Sequence, residues 1–122
     1  MRIPITLYFL LLLAGCDIVD ARVCTLELRT NIYVTATDSI TGSPVTADLR
    51  GFVRDGSFQE QMSSHPAMPG ILFLGESERA GVYEVVVNAT GYREWRMTNV
   101  RVTADECHVE TRSLNARLIP QN

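Results

Sequence analysis

Residues 81–92 read Gly-Val-Tyr-Glu-Val-Val-Val-Asn-Ala-Thr-Gly-Tyr, and they decide the fold class. Tyr83, Val85, Val87 and Ala89 share one parity, while Glu84 and Asn88 take the other. A period of two gives a strand with one face for a core and one for solvent. Three consecutive valines reinforce this, because branching at Cβ stiffens χ1 and suits a pleated surface better than a helix. The glycines at 81 and 91 punctuate the run at both ends.

Working outward toward the C-terminus, Gly91-Tyr92 turns the chain, and Trp95 and Met97 are expected to pack inward on the next strand. Val100 and Val102 have the opposite parity, so a bulge near Thr98-Asn99 is expected. A last strand from His108 to about Ile119 would place Leu114, Ala116 and Leu118 on one face. Toward the N-terminus, Ile71 to Leu74 is a short apolar run compatible with a buried strand. Ser63 to Gly70 (SSHPAMPG) reads as an exposed loop, and Phe58, Glu60 and Met62 read as a strand. The hairpin dipeptide Asp55-Gly56 separates that strand from an alternating run through Ala47, Leu49 and Val53. Asp38 to Pro44 (DSITGSP) is dense in turn formers, and Ile32, Val34 and Ala36 alternate before it. No window has the period of a helix. About seven short strands in residues 24–122 predict an all-β, two-sheet Greek-key sandwich.

These residues carry a family resemblance. Val34 to Val45, ending Thr-Gly-Ser-Pro-Val, is similar to the first hairpin of carboxypeptidase regulatory-like domains. Gly81-Val82-Tyr83-Glu84-Val85 and Asn88-Ala89-Thr90-Gly91-Tyr92 resemble their later Gly-x-Tyr-x-Val and Gly-Tyr segment. The resemblance covers most of residues 31–119 and implies a transthyretin-like seven-stranded sandwich, usually an accessory or interaction module. Residues 56–76 depart from the pattern. One branch of that fold is enzymatic, the hydroxyisourate hydrolases, which use histidines and a C-terminal Tyr-Arg-Gly-Ser tail. This chain ends Arg117-Leu118-Ile119-Pro120-Gln121-Asn122, so that activity is not expected.

The chain starts Met1-Arg2 and continues with an apolar run from Ile3 to Leu13. That run is shorter than the roughly 20 residues a membrane-spanning helix requires. A charged start, a short apolar core and small residues are the layout of a secretory signal peptide. Leu13-Ala14-Gly15-Cys16 resembles the bacterial lipobox, which implies cleavage after Gly15 and a lipid on the Cys16 sulfur. Residues 1–15 are then the signal, 16–23 a lipidated N-terminus and short tether, and 24–122 the domain. Residues 17–23 reach at most about 25 Å, which holds the domain against a membrane. The expected location is the cell membrane or the outer membrane, with the domain facing the periplasm or the cell exterior.

With Cys16 assigned to lipid, Cys24 and Cys107 remain. In an exported protein they are expected to form a disulfide, with a free thiol pair or a shared metal as alternatives. The chain has eleven arginines, no lysine and fourteen acidic residues, for a formal net charge of −3. Without a basic cluster, nucleic-acid binding is not expected, and the acyl chains would carry the membrane attachment.

No Gly-x-Ser-x-Gly, His-Glu-x-x-His or Cys-x-x-Cys motif occurs. The chain is therefore read as non-catalytic, with no catalytic residues and no cofactor. Met62-x-x-His65-x-x-Met68 has thioether and imidazole groups suited to Cu(I), but such a spacing arises easily by chance and a core position for Met62 argues against it. Cys107 and His108 are adjacent in sequence, so on a strand they would point to opposite faces and could not easily share an ion. Trp95 and Tyr92 suit a glycan platform, but packing between the sheets is the expected role of Trp95. The resulting expectation is a membrane-anchored binding or structural module with an envelope protein as partner. The alternative is a module for carbohydrate or Cu(I). Recognition would use loops 38–44, 63–70 and 76–80.

Overall fold

The computed structural model describes residues 24–75 and 78–122. Residues 1–23, with the signal segment, Cys16 and the tether, lie outside the described residues, as do Glu76 and Ser77. The described chain forms β1 (Ile32–Asp38), β2 (Arg50–Asp55), β3 (Phe58–Gln61), β4 (Ser63–Ser64), β5 (Ile71–Phe73), β6 (Gly81–Asn88), β7 (Trp95–Val102) and β8 (Arg112–Leu118). They build two four-stranded sheets, ordered β4-β5-β1-β8 and β3-β2-β6-β7. The fold is an all-β sandwich of seven strands plus the two-residue β4.

The core is the set of inward positions that alternation exposes. Ile32, Val34 and Ala36 of β1 are fully buried, as are Val85 and Val87 of β6, and Leu114, Ala116 and Leu118 of β8 line the same inner face as the β1 residues. Val86 is also fully buried, although its parity directs it to the outer face. It lies opposite Phe52 and Arg96 in the register, so an outward valine is enclosed by longer neighbours. The bulge falls where the parity change required it. Tyr83 pairs with Val100 but Val85 pairs with Met97, which sets Thr98 and Asn99 opposite the single residue Glu84, with Asn99 at φ 57°.

Four expectations need correction. The second strand starts at Arg50, not near Ala47, because Ala47 and Asp48 form a turn whose Asp48 has φ 49°. Ser63–Ser64, expected in a loop, pairs with β5 as β4; two serines carry no apolar alternation to announce a strand. Met97 is 38% exposed and outside the core cluster, because β7 is an edge strand that bulges beside it. The last strand starts at Arg112, and His108 belongs to the preceding loop, closed by an Ala104–Val109 bridge. Trp95 is half-buried and packs against the core.

The chain changes sheets four times, between β1 and β2, β3 and β4, β5 and β6, and β7 and β8. The tightest change is at Met62, whose N–H donates to the Gly51 carbonyl at 2.8 Å while its side chain enters the core. Gly51 permits this approach. A Cβ there would meet Leu72 Cδ1 at 2.8 Å, Met62 Sδ at 3.1 Å and the Val86 carbonyl at 3.3 Å.

β8 lies parallel to β1 over all seven residues, from Ile32 opposite Arg112 to Asp38 opposite Leu118. Two parallel strands begin at the same end, so the segments leading into them meet there. Cys24 and Cys107 form a disulfide with a Cα–Cα distance of 5.1 Å across a sequence separation of 83. Closing a loop of that length restricts the unfolded chain strongly.

Two stability predictions follow from this packing. Gly51→Ala should lower unfolding free energy by about 1–3 kcal/mol through overpacking, measured by urea denaturation. The double substitution Cys24→Ser with Cys107→Ser should cost about 2–5 kcal/mol, and reductant should then no longer change the unfolding midpoint.

Candidate functional site

The parallel pair divides the sandwich into two ends. Cys24, Cys107, residues 74–75 and 78–80, and the loop 103–111 gather where β1 and β8 begin. The β1–β2 connection, the 65–70 loop, the β6–β7 turn and the C-terminal residues gather where they finish. A seven-residue strand separates the ends by about 23 Å. Of the loops expected to recognise a partner, 38–44 and 63–70 therefore share an end. Glu78 to Ala80, the described part of the third, lies at the opposite end beside the disulfide.

The far end is held by a continuous set of hydrogen bonds. Asp38 closes β1, and its Oδ1 accepts the N–H groups of Ile40 at 2.7 Å and Thr41 at 3.0 Å. The Gly42 N–H donates to the Asp38 carbonyl at 2.9 Å, and the φ of 75° at Gly42 completes the turn without a Cβ penalty. The Tyr92 hydroxyl donates to Asp38 Oδ2 at 2.7 Å, which ties the β6–β7 turn to β1. The Arg93 N–H donates to the Ile119 carbonyl at 2.9 Å, and Gln121 N–H donates to the Gly91 carbonyl at 2.8 Å. The Thr41 N–H, the Tyr92 hydroxyl and the Ile40 N–H together hold the Asp38 carboxyl below the usual carboxylate range. The same bond to Asp38 raises the Tyr92 phenol. Tyr92 is thus a structural pin at this end.

On this braced frame stand exposed apolar side chains. Ile40 is 80% exposed, Ile119 52% and Met68 43%. The Ser39 N–H donates to the Leu118 carbonyl at 2.9 Å, which brings the Ile40 and Ile119 segments together. A cleft of about 430 Å³ between the 65–70 loop and the β1–β2 connection is lined by residues including Thr46, Asp48, His65, Pro66 and Met68. These groups stand on a hydrogen-bonded frame, and Leu26 and Leu28, in the segment before β1, are exposed as well.

The three residues of the Met-His-Met spacing have unlike surroundings. Met62 is 5% exposed and belongs to the core. The His65 ring packs against Phe73 at 6.2 Å and its Nδ1 accepts the Ala67 N–H at 3.1 Å, while Met68 stands on the surface. A Cu(I) site would have to draw Met62 out from between the sheets.

Two clusters at the near end had no signal in the sequence, because each joins residues far apart along the chain. The first surrounds Arg79, whose guanidinium donates to Asp55 Oδ2 at 2.9 Å and lies 4.3 Å over the Phe58 ring. The Tyr83 hydroxyl donates to the Arg79 carbonyl at 2.6 Å, and Asn31 Nδ2 donates to the same oxygen at 2.8 Å. Its bonds to the Tyr83 hydroxyl and Asp55 raise the Arg79 guanidinium further, so it is a permanent charge clamping the loop before β6 onto the β2–β3 hairpin.

The second cluster surrounds His108. Its Nδ1 is 2.7 Å from Glu78 Oε1, and its Nε2 is 3.0 Å from Thr25 Oγ1. Hydroxyl, imidazole and carboxylate stand in the order of a nucleophile relay. Acyl transfer also needs donors aimed at a developing oxyanion. The adjacent N–H groups of Cys107 and His108 are already consumed by Asp105 Oδ1, at 2.7 and 2.8 Å, and they hold the Asp105 carboxyl below its usual range. The arrangement fastens residue 25 and the disulfide to the domain. Among the described residues, no three His, Cys, Asp or Glu side chains are grouped as a metal site.

The lowered Asp38 carboxyl has a pH signature. Its contribution to stability is fully present above the ordinary carboxylate value of about 3.9 and is lost as the pH falls toward its depressed folded value. Asp38→Asn should lower the thermal midpoint at pH 7, and the gap from the wild-type protein should narrow below about pH 4. Circular dichroism melts at the two pH values would measure it.

No protein-family model matches the chain, and no curated protein resembles it at a significant level.

Proposed function

We propose that this protein is a lipid-anchored cell-envelope module that binds a protein partner through the end of its sandwich opposite the attachment point. The separation of the two ends carries the reading. The chain enters at Cys24, which is bonded to Cys107. The exposed Ile40, Met68 and Ile119 stand on the loops and C-terminal segment at the other end. An anchor at Cys16 tethers the first end to the membrane and turns the second toward partners. The lipobox-like Leu13-Ala14-Gly15-Cys16 and the short tether support the anchor. A disulfide supports export to an oxidising compartment. The module is non-catalytic in this reading, and its membrane is the inner or the outer one.

The finer fold assignment belongs to the same proposal. Hairpins that alternate with crossings between sheets, in a sandwich of seven strands of three or more residues, support a Greek-key, transthyretin-like arrangement of the carboxypeptidase regulatory-like kind. The Thr41-Gly42-Ser43-Pro44-Val45 turn and the strand opening at Gly81 support it further.

Two measurements test the parts separately. Metabolic labelling with a palmitate analogue should mark the wild-type chain and not Cys16→Ala; equal labelling of both ends the anchor reading. A photo-crosslinking residue at Met68 or Ile40 should give a discrete adduct in cells, and the same residue at Ser113 on the sheet face should not. Identical patterns from the loops and the face would overturn recognition through the far end.

A further inference from the structure

The segment between the disulfide and β1 is fastened to the domain on both sides of a short stretch. On one side Cys24 is bonded to Cys107, and Thr25 Oγ1 lies 3.0 Å from His108 Nε2. On the other, the Arg29 N–H donates to Glu78 Oε1 at 3.4 Å and the Thr111 hydroxyl donates to the Thr30 carbonyl at 2.7 Å. Asn31 then joins both neighbours, its Nδ2 donating to the Arg79 carbonyl at 2.8 Å and its carbonyl accepting the Arg112 N–H at 2.9 Å. Leu26 and Leu28 stand between these fastenings. Leu26 is fully exposed and Leu28 is 58% exposed. A free chain end could fold two leucines back against the sheets, whereas a segment pinned on both sides holds them outward.

The charge at this place is unlike that of a site for an anionic surface. Glu27, between the leucines, lies 3.7 Å from Arg29, which offsets its carboxylate. The adjacent 103–111 loop carries Asp105, Glu106 and Glu110 against His108 alone. Attraction to acidic headgroups therefore does not supply a contact here, and burial of the leucines must.

The chain preceding Cys24 says what lies opposite them. Residues 17–23 span at most about 25 Å, so an acylated Cys16 keeps Cys24, and with it Leu26 and Leu28, beside the bilayer. A protein partner for the leucines would have to enter that gap. Two leucines bind a bilayer too weakly to hold a free protein, but beside an anchor their contact is intramolecular and needs little affinity. A single tether also limits distance and not orientation, and a second contact fixes both. We propose that Leu26 and Leu28 insert at the boundary between headgroups and acyl chains of the bilayer that holds the Cys16 lipid, docking the near end on the membrane and turning the far end outward. This rests on the lipid-anchor reading above.

The test reconstitutes the full-length lipidated protein in phosphatidylcholine vesicles, with or without brominated acyl chains that quench nearby fluorophores. An environment-sensitive fluorescent amino acid replaces Leu26, Leu28 or, as the far-end control, Ile40. Brominated lipid should remove about half or more of the emission at Leu26 and Leu28, at low and high salt alike, and leave that at Ile40 unchanged. Leu28→Ser should lessen the quenching of a probe at Leu26 while the melting midpoint stays at the wild-type value, since the side chain is exposed. Flotation with the vesicles reads the anchor separately. Floating protein whose probes at Leu26 and Leu28 are quenched no more than that at Ile40 overturns the docking and leaves the anchor standing. Quenching at Leu26 that Leu28→Ser leaves unchanged also overturns it. A blue shift at Leu26 without quenching by brominated lipid overturns it in favour of a protein covering the segment. Wild-type protein that does not float ends the anchor reading, and the docking with it.

Discussion

The parallel pairing of β1 with β8 is the constraint on which the remaining architecture depends. It joins the first and last strands of the domain over seven residues and completes the sheet β4-β5-β1-β8. Strands that run the same way cannot be joined by a tight turn. The chain between them accordingly visits the other sheet twice before β8 arrives from β7. Because the two strands start together, Cys24 and Cys107 meet at one end, and the bond between them reinforces the pairing that brought them there. The same geometry sends Asp38 and Leu118 to the other end, where the Ser39 N–H bonds to the Leu118 carbonyl.

Each end is then braced by a different chemistry. The near end uses the Arg79 charge against Asp55 and Phe58, and a hydrogen-bond contact between His108 and Glu78. Its polar groups join the loop before β6 to the β2–β3 hairpin and to residue 108 beside the disulfide. The far end uses neutral and single-charge hydrogen bonds centred on Asp38, which leaves Ile40, Met68 and Ile119 without cover. For the partner binding proposed above, loops already held by hydrogen bonds would lower the entropic cost of presenting these groups.

Most of the strands were legible because alternation is a local signal. Ile32, Val34 and Ala36 needed only their own spacing to be placed on a core face, and so did Tyr83, Val85 and Val87. The bulge at Thr98-Asn99 was legible for the same reason, since Val100 changed parity within a few residues. β4 escaped because two serines have no apolar alternation and owe their pairing to β5. Met97 was misjudged because parity gives direction without depth, and an edge strand leaves an inward residue exposed. Val86 shows the reverse case, buried on an outward face by neighbours on other strands.

The sequence by itself determined the all-β class, the position of most turns and the identity of the core-facing residues, because backbone sterics and hydrophobic alternation act within a few residues. It also singled out Cys24 and Cys107 by elimination, once Cys16 was assigned to lipid. Only the tertiary structure decided the strand order, the parallel closure of β1 by β8, and which loops share an end. It alone brought Thr25, Glu78 and His108 together. Those arrangements depend on contacts between residues tens of positions apart. Their registers are chosen by the burial of a shared core, and no local pattern records that choice.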